Sequence, residues 1–355
     1  MLDVYVPEGA SGPLPVVFHV HGGGWQRGDR KTSFYGGPFM GYNYAQHGFI
    51  AVVISYRVSV LFPDPILDVA NALKWVLHTI DTFGGDPTKI VISGHSAGGH
   101  LVSLLATNPQ FLSSVGITEN PIKAVISISG IYTVSNPLSE NPNDWMNTMY
   151  RSVYVNRTFG SDHQKLMDYS PSYHILKYPV TDPTAQPPAP PPKTGLLSNL
   201  SLPLFKKNQG LTQNQPPQPL PQPLNPENQP LTEELPQVQS QEQSEKSQTT
   251  TDLKTEEPKE LLTPPIPLPT QPEEVTPAPT SAPLPKIPPF CIFNATSDLS
   301  LDHDGRYFTG LLRERGIKVV YEVLTANHAT ITNLQATVDK ATKFIREQLG
   351  IKESC

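Results

Sequence analysis

A serine lies in a sequence context that favours nucleophilic chemistry. Ser96 is the centre of "GHSAG", a G-x-S-x-G pattern between the β-branched run "KIVIS" (89–93) and the apolar stretch "AGGHLVSLLA". A serine hydroxyl is a weak nucleophile at neutral pH and needs a base within hydrogen-bond reach. On a sharp strand-to-helix turn its oxygen would project above a sheet, and small residues two positions away would relieve crowding. We therefore predict that Ser96 is a nucleophile; the alternative is a tight glycine turn with a capping serine.

A glycine-rich stretch earlier in the chain could stabilise negative charge. "HVHGGGWQRGD" (19–29) follows a predicted strand, as an oxyanion loop of the HGGG type does. Glycines let backbone N–H groups approach a developing oxyanion. We predict the N–H groups of Gly23, Gly24 and Ala97 as the donors, and expect His21 to hold the loop. A phosphate-binding loop is disfavoured, because no G-x-x-x-x-G-K-S/T pattern is present.

Chain order selects a base for the serine. In hydrolases with this kind of turn the triad runs Ser, then Asp or Glu, then His. His303 and His328 are the histidines that follow both Ser96 and the late strand "PFCIF" (289–293). His328, in "LTANHATIT", comes just after the last predicted strand, at the sheet edge, so we predict it as the base. We expect His303 to lie in a loop ahead of a helix.

The acid should follow the strand 289–293. "PFCIFNATSDLSLDHD" offers Asp298, Asp302 and Asp304. Asp298 is nearest the strand end and is the predicted acid, with Asp302 as the alternative. Asp302 and Asp304 could otherwise cap the amino end of the following helix.

The remaining pattern predicts the elements that position these residues. Continuous apolar runs are typical of strands buried on both faces of a parallel sheet; they occur at 2–6, 15–20, 49–55, 89–93, 123–129, 289–293 and 318–324. Helical periodicity occurs at 66–80 and again from Ile331 to Leu349, with Gly350 placed as a C-cap. This alternation predicts an α/β fold, with a mostly parallel, doubly wound sheet and helices on both faces.

One segment has a different composition. Residues 181–285 hold 25 of the 40 prolines and one aromatic residue, so they cannot bury enough apolar surface to offset the entropy of ordering. We predict a long disordered Pro/Gln-rich insert that interrupts one domain, formed by 1–180 and 286–355. We expect residues 131–178, which break the strand–helix pattern, to form a lid or cap.

Charge and cysteine content narrow the function classes. Outside 181–285, 20 acidic residues balance 20 basic ones, which gives no electrostatic argument for nucleic acid. No metal-ligand spacing is present, and no cofactor is implied. Two cysteines, no secretory pattern and no membrane-spanning apolar run predict a reducing, cytoplasmic location.

With these motifs, the sequence resembles α/β-hydrolases of the esterase group that includes hormone-sensitive-lipase-like carboxylesterases, feruloyl-esterase-like hydrolases and kynurenine formamidases. "HGGGW", "FGGDPTKIVISGHSAGGHLVSLLAT" and "PPFCIFNATSDL" followed by "ANHATI" are typical of the group. Isoprenylcysteine methylesterases are similar through "FYGGPFMGYNYAQHGFIAVVISYR". The resemblance implies an α/β-hydrolase fold and a further strand ahead of "LDVYVP", which leaves open a strand or an anchor upstream. It also implies that the ends of the insert lie near the cap, beside the pocket.

We therefore expect a serine hydrolase of small-molecule carboxylic esters. An arylformamidase and an isoprenylcysteine methylesterase-like enzyme are alternatives that use the same residues. The non-enzymatic alternative is an inactive hydrolase scaffold whose "PAPPPK" (188–193) binds SH3-type domains. The sequence leaves open the acyl and leaving groups, the oligomeric state and the role of 181–285.

Overall fold

Seven apolar segments pair into one sheet in the computed structural model, which describes residues 1–10, 12–33, 36–134, 151–185 and 284–352. The order of the strands is β1-β3-β2-β4-β5-β6-β7. The strands are β1 Leu2–Tyr5, β2 Leu14–Val20, β3 Ile50–Ile54, β4 Gly85–His95, β5 Ile122–Ile128, β6 Phe290–Ser297 and β7 Val319–Asn327. All seven correspond to predicted strands, and β4, β6 and β7 extend several residues beyond the predicted ranges.

The pairing places all functional candidates at one edge of the sheet. β1 is antiparallel to β3, and the other neighbouring strands are parallel. The carboxyl ends of parallel strands meet at the same edge, where ligands bind in open α/β sheets. The segments after β2, β4, β6 and β7 therefore come together there.

Both faces of the sheet are buried, as the continuous apolar runs predict. Along β2, Val16, Phe18 and Val20 belong to one core cluster. Val17 belongs to the opposite cluster, because successive side chains of a strand point to opposite faces.

Helices cover both faces, which confirms the predicted layering. The α-helices are α1 Gly37–Gln46, α2 Asp64–Thr79, α3 Ala97–Thr107, α4 Gln110–Ser114, α5 Asn156–Phe159, α6 His163–Asp168, α7 Pro171–Ile175, α8 Leu301–Glu314 and α9 Gln335–Leu349. Buried residues of α2, α3 and α8 pack on the face of Val16, and those of α1 and α9 pack on the other face. In the described part of the chain, no helix is long and apolar enough to cross a bilayer.

The end of the chain matches its predicted pattern with one difference. Helix α9 stops before Gly350, which adopts a left-handed φ of 65° as a C-cap glycine does. Ile331 lies outside this helix, in the separate 3₁₀ turn Ile331–Asn333, although its side chain is buried in the same core cluster.

The predicted cap region contributes short helices that pack on the loop after β2. Residues 135–150 lie outside the described part; the rest of 131–178 contains a π-helical turn, Arg151–Val155, and α5 to α7. Trp25 is fully buried, with its ring 4.9 Å from that of Phe159. The Trp25 indole N–H donates to Nδ1 of His100 at 3.3 Å, and His100 Nε2 lies 2.8 Å from the Tyr169 carbonyl oxygen. These contacts hold the loop, helix α3 and the cap together.

The ends of the predicted insert lie away from the edge of the sheet where the functional candidates meet. The Tyr178 hydroxyl donates to the Pro285 carbonyl at 2.7 Å, and the Thr181 and Asp182 N–H groups donate to the Glu314 carbonyl. Glu314 is the last residue of α8, a 14-residue helix about 20 Å long that begins beside the pocket. The ends are therefore next to the last cap residues, but the expectation that they lie beside the pocket is wrong. Residues 186–283, including the proline motif at 188–193, are outside the described part.

We predict that replacing residues 186–283 with a short Gly/Ser linker leaves hydrolytic activity intact. The anchors at Tyr178 and Glu314 already hold both ends of the segment, and loop length affects closure entropy only slowly. The measurement is kcat/KM on a para-nitrophenyl ester, expected within about threefold of the full chain. A folded deletion variant without activity would contradict this placement.

We also predict a pH dependence of stability from His100. Burial lowers the pKa of His100 to about 4, although its hydrogen bond to the Tyr169 carbonyl has the opposite effect. In the unfolded chain the pKa is near 6.5. Below pH 6.5 the unfolded chain binds a proton that the folded chain does not, so acidification lowers the free energy of unfolding until about pH 4. This single group accounts for up to about 3 kcal/mol.

Urea unfolding of the wild type and His100→Gln between pH 7 and about pH 4 tests this effect. The variant should be less stable at pH 7, since it loses buried contacts, but its stability should fall less steeply on acidification. If the free energy of unfolding falls equally with pH in the wild type and the variant, His100 is not the source of the pH dependence.

Candidate active site

Ser96 lies on a sharp turn between β4 and α3. Its φ of 53° is in the left-handed region, and α3 starts at the next residue. A Cβ on Gly98 would lie 2.1 Å from the Val20 carbonyl oxygen, so only glycine allows α3 to pack this closely on β2. The strained turn is held by this packing and by the Ser96 N–H, which donates to the Ile128 carbonyl at 2.8 Å.

The structure brings together the predicted nucleophile, base and acid. His328 Nε2 is 2.9 Å from Ser96 Oγ, and its Nδ1 is 2.7 Å from Asp298 Oδ1. A carboxylate only accepts hydrogen bonds, so Nδ1 carries the proton and Nε2 is left to accept from the Ser96 hydroxyl. In this arrangement the imidazole can take the hydroxyl proton.

The carboxylate of Asp298 is fully enclosed and fully bonded. Its side chain has no solvent exposure. Oδ2 accepts from Ser129 Oγ at 2.8 Å, Asn294 Nδ2 at 2.6 Å and the Ala295 N–H at 3.0 Å, while Oδ1 faces His328. A buried charge is tolerated only when it is hydrogen-bonded, and these donors also fix the plane of the carboxylate.

His95 positions the segment that carries His328. Its Nε2 donates to the His328 backbone carbonyl at 2.8 Å, and the two rings lie 5.0 Å apart. Burial holds the pKa of His95 well below its usual range, and the charge that His328 would carry lowers it further. His95 is therefore neutral, and protonation of His328 next to it does not meet a second positive charge.

The glycine loop after β2 lies against the serine turn. A Cβ on Gly22 would be 3.2 Å from the Ser96 Cβ, and Gly23 and Gly24 line the same pocket as Ser96. Ala97 is the first residue of α3, where backbone N–H groups have no partner within the helix. The three predicted oxyanion donors thus lie on two segments that meet at Ser96.

His21 has the structural role expected for it. Its Nδ1 lies 2.7 Å from the Gly22 carbonyl, and its ring stacks on that of Tyr56 at a centroid distance of 4.4 Å. Burial lowers the pKa of His21, so the residue is neutral under the loop.

The pocket above Ser96 is a cavity of about 400 Å³ with mostly apolar walls. Its described lining consists of Gly23, Gly24, Trp25, Arg27, His95, Ser96, Ile131, Tyr154, Ser297, Leu299, Leu301, Asn327, His328 and Ala329. The predicted cap region contributes Ile131 and Tyr154 to this wall. A cavity of this size with few polar groups suits a small organic ligand.

The alternative candidates occupy other positions. Asp302 pairs with Arg306 within α8, and Asp304 accepts from the backbone N–H groups of Tyr132 and Thr133 at 2.6 and 3.1 Å. The expectation that these aspartates cap α8 is wrong, because no side chain caps that helix and Asp304 binds the segment after β5 instead. His303 lies within α8 rather than in a loop ahead of it.

Three contributors to the site were not predicted. Ser129 and Asn294 bind Asp298, and His95 was treated as the variable position of the G-x-S-x-G pattern. Asn294 had a weak signal, since it is a polar residue in an otherwise apolar run. Ser129 carries no comparable signal in the sequence.

The sequence of this chain is similar to those of proteins named as esterases. The BD-FAE family model matches residues 2–183, just over half of the chain. A probable carboxylic ester hydrolase of Mycobacterium tuberculosis, LipM, is 34% identical over 170 residues, which are 46% of this chain and 38% of that protein. A probable isoprenylcysteine alpha-carbonyl methylesterase of Arabidopsis thaliana is 30% identical over 183 residues, 49% of this chain and 40% of the relative. The chain thus spans about two fifths of the length of these curated relatives.

Solved structures share the fold at low sequence identity. Esterase B of Lactobacillus rhamnosis is similar with a TM-score of 0.58 and 15% identity, over 99% of this chain and 80% of that chain. A hyperthermophilic esterase of Pyrobaculum calidifontis gives a TM-score of 0.55 at 16% identity, over 99% and 82% of the two chains. These likenesses confirm the predicted α/β-hydrolase fold.

We predict that Asp298→Asn lowers kcat on a para-nitrophenyl ester by roughly 10³–10⁴-fold, because an amide at this position favours the wrong tautomer of His328. Asp302→Asn is the matched control, since Asp302 follows Asp298 closely and bonds Arg306 instead. It should leave kcat within about threefold. Both variants should keep the wild-type circular dichroism spectrum, and the reverse ranking of activities would identify Asp302 as the acid.

Proposed function

We propose that this chain, which belongs to the BD-FAE family, is a serine hydrolase of carboxylic esters. The observation that carries the proposal is the position of the His328 ring, with one nitrogen 2.9 Å from Ser96 Oγ and the other 2.7 Å from Asp298 Oδ1. Relatives named as ester hydrolases support the reaction class.

The first half of the proposed reaction transfers the acyl group to the enzyme. Ser96 Oγ attacks the ester carbonyl while His328 Nε2 accepts the hydroxyl proton. Asp298 stabilises the resulting imidazolium through Nδ1. The N–H groups of Gly23, Gly24 and Ala97 would stabilise the negative oxygen of the tetrahedral intermediate. His328 then returns the proton to the departing alcohol, which leaves an ester on Ser96.

The second half repeats these steps with water. His328 takes a proton from the attacking water, and the intermediate collapses to a carboxylic acid with the proton returned to Ser96. Every proton transfer uses the same imidazole, so the reaction needs no group beyond the residues named and water.

A methyl ester of a prenylated cysteine is a second candidate substrate, favoured by the relative that carries that name and by the apolar wall of the pocket. The same residues could attack an aryl formamide. Side-by-side kcat/KM values for a para-nitrophenyl ester, a prenylcysteine methyl ester and N-formylkynurenine separate the three. A preference for the formamide by orders of magnitude would overturn the ester assignment.

We predict that a fluorophosphonate probe labels the wild-type chain and that Ser96→Ala abolishes labelling. Such a probe reacts only with a serine that a base has activated. Ser113→Ala is the matched control, because Ser113 is an exposed serine of α4 that does not line the pocket and whose hydroxyl donates to the Pro109 carbonyl. Folded wild-type protein that resists the probe would favour the inactive scaffold with an SH3-type partner at 188–193.

A further inference from the structure

We propose that the pocket selects esters that carry a second, negatively charged group, and that Arg27 binds this group. The inference rests on the proposed function, since it names a substrate class for the same site. Among the described residues that line the pocket, the exposed Arg27 contributes one permanent positive charge.

The charge pattern of the lining is the first observation. Among the lining residues within the described part, Arg27 alone carries a permanent charge; the others are apolar, hydroxyl, amide, imidazole or backbone groups. No carboxylate within the described part lies within ion-pair distance of its guanidinium. An exposed arginine beside a cleft attracts anions to that cleft when no described carboxylate pairs with it.

The position of Arg27 on the chain is the second observation. The Arg27 N–H donates to the Gly23 carbonyl at 3.2 Å, which closes a tight turn of the predicted oxyanion loop. Arg27 is therefore fixed relative to Gly23 and Gly24. A ligand with its carbonyl at these glycines would therefore share a pocket with the Arg27 side chain.

Tyr154 orients the guanidinium. The Tyr154 hydroxyl accepts from Arg27 Nη2 at 2.5 Å, and the Arg27 Cζ is 5.8 Å from the centre of the Tyr154 ring. A Cβ on Gly24 would lie 2.3 Å from the Tyr154 ring, so this ring rests directly on the loop. Arginine has five N–H donors in a planar fork, and its bond to Tyr154 leaves others to bind a carboxylate in a bidentate manner.

A competing explanation is that Arg27 only holds Tyr154 of the cap against the loop. In that case Arg27 affects neutral and anionic substrates equally. Selectivity between substrates of matched shape and different charge therefore separates the two explanations.

The test uses two pairs of esters, because either side of the scissile bond could face Arg27. On the alcohol side, para-acetoxybenzoate is compared with para-acetoxybenzamide. On the acyl side, para-nitrophenyl hydrogen adipate is compared with para-nitrophenyl hexanoate. In the full-length wild type, we expect the anionic member of at least one pair to have a kcat/KM about tenfold higher at low ionic strength. The preference should shrink as salt is added, because the rim is exposed.

Substitutions show whether Arg27 causes the preference for the anionic ester. Arg27→Gln should reduce the ratio of the two kcat/KM values to near one, and Arg27→Lys should retain part of it. Arg157→Gln is the matched control, as an exposed arginine of α5 that does not line the pocket, and it should keep the wild-type ratio. Tyr154→Phe should lower the ratio without abolishing it.

The outcomes separate this inference from the proposed function. Turnover of the neutral esters with no preference for either anion, or a preference that survives in Arg27→Gln, overturns the role of Arg27 and leaves the esterase intact. Equal losses on both members of a pair in Arg27→Gln and Tyr154→Phe would identify a purely structural contact. Absence of turnover of every ester, together with absence of fluorophosphonate labelling, overturns both proposals.

Discussion

The buried carboxylate of Asp298 is the group on which the geometry of the site depends. A charge with no access to water must be bonded on every side, and here the donors come from three parts of the chain. Ser129 follows β5, Asn294 and Ala295 belong to β6, and His328 follows β7. The carboxylate therefore fixes the ends of three neighbouring strands relative to one another, and with them the imidazole that faces Ser96.

The crowded turn at Ser96 positions the hydroxyl that faces the His328 imidazole. Close packing of α3 on β2 leaves no room for a side chain at Gly98 and holds Ser96 in a left-handed conformation. His95, the neighbour of Ser96, reaches across to the His328 carbonyl. The backbone of the turn thus orients the Ser96 hydroxyl, and the His95 side chain next to it binds the segment that carries His328.

The sheet and the central site residues were predictable because they depend on strong, local signals. Unbroken apolar runs located the strands. Chain order narrowed the candidates for base and acid, and closeness to a strand end then favoured His328, and Asp298 over Asp302. The strands β4, β6 and β7 were predicted too short, because pairing continues through polar residues such as Ser297 and Asn327. The bonds of Ser129 and Asp304 were not predictable, since each joins residues about 170 positions apart and serine and aspartate occur in many roles.

The hydrogen bonds at Tyr178 and Glu314 mark where the insert separates the chain into an earlier and a later part. Everything from the glycine loop to Ser96 precedes the insert, and Asp298 and His328 follow it. The two groups are joined by contacts such as the pairing of β5 with β6 and the Ser129–Asp298 hydrogen bond. The proposed catalytic residues thus lie where the part of the chain before the insert meets the part after it. Fragment complementation depends on an interface of this kind.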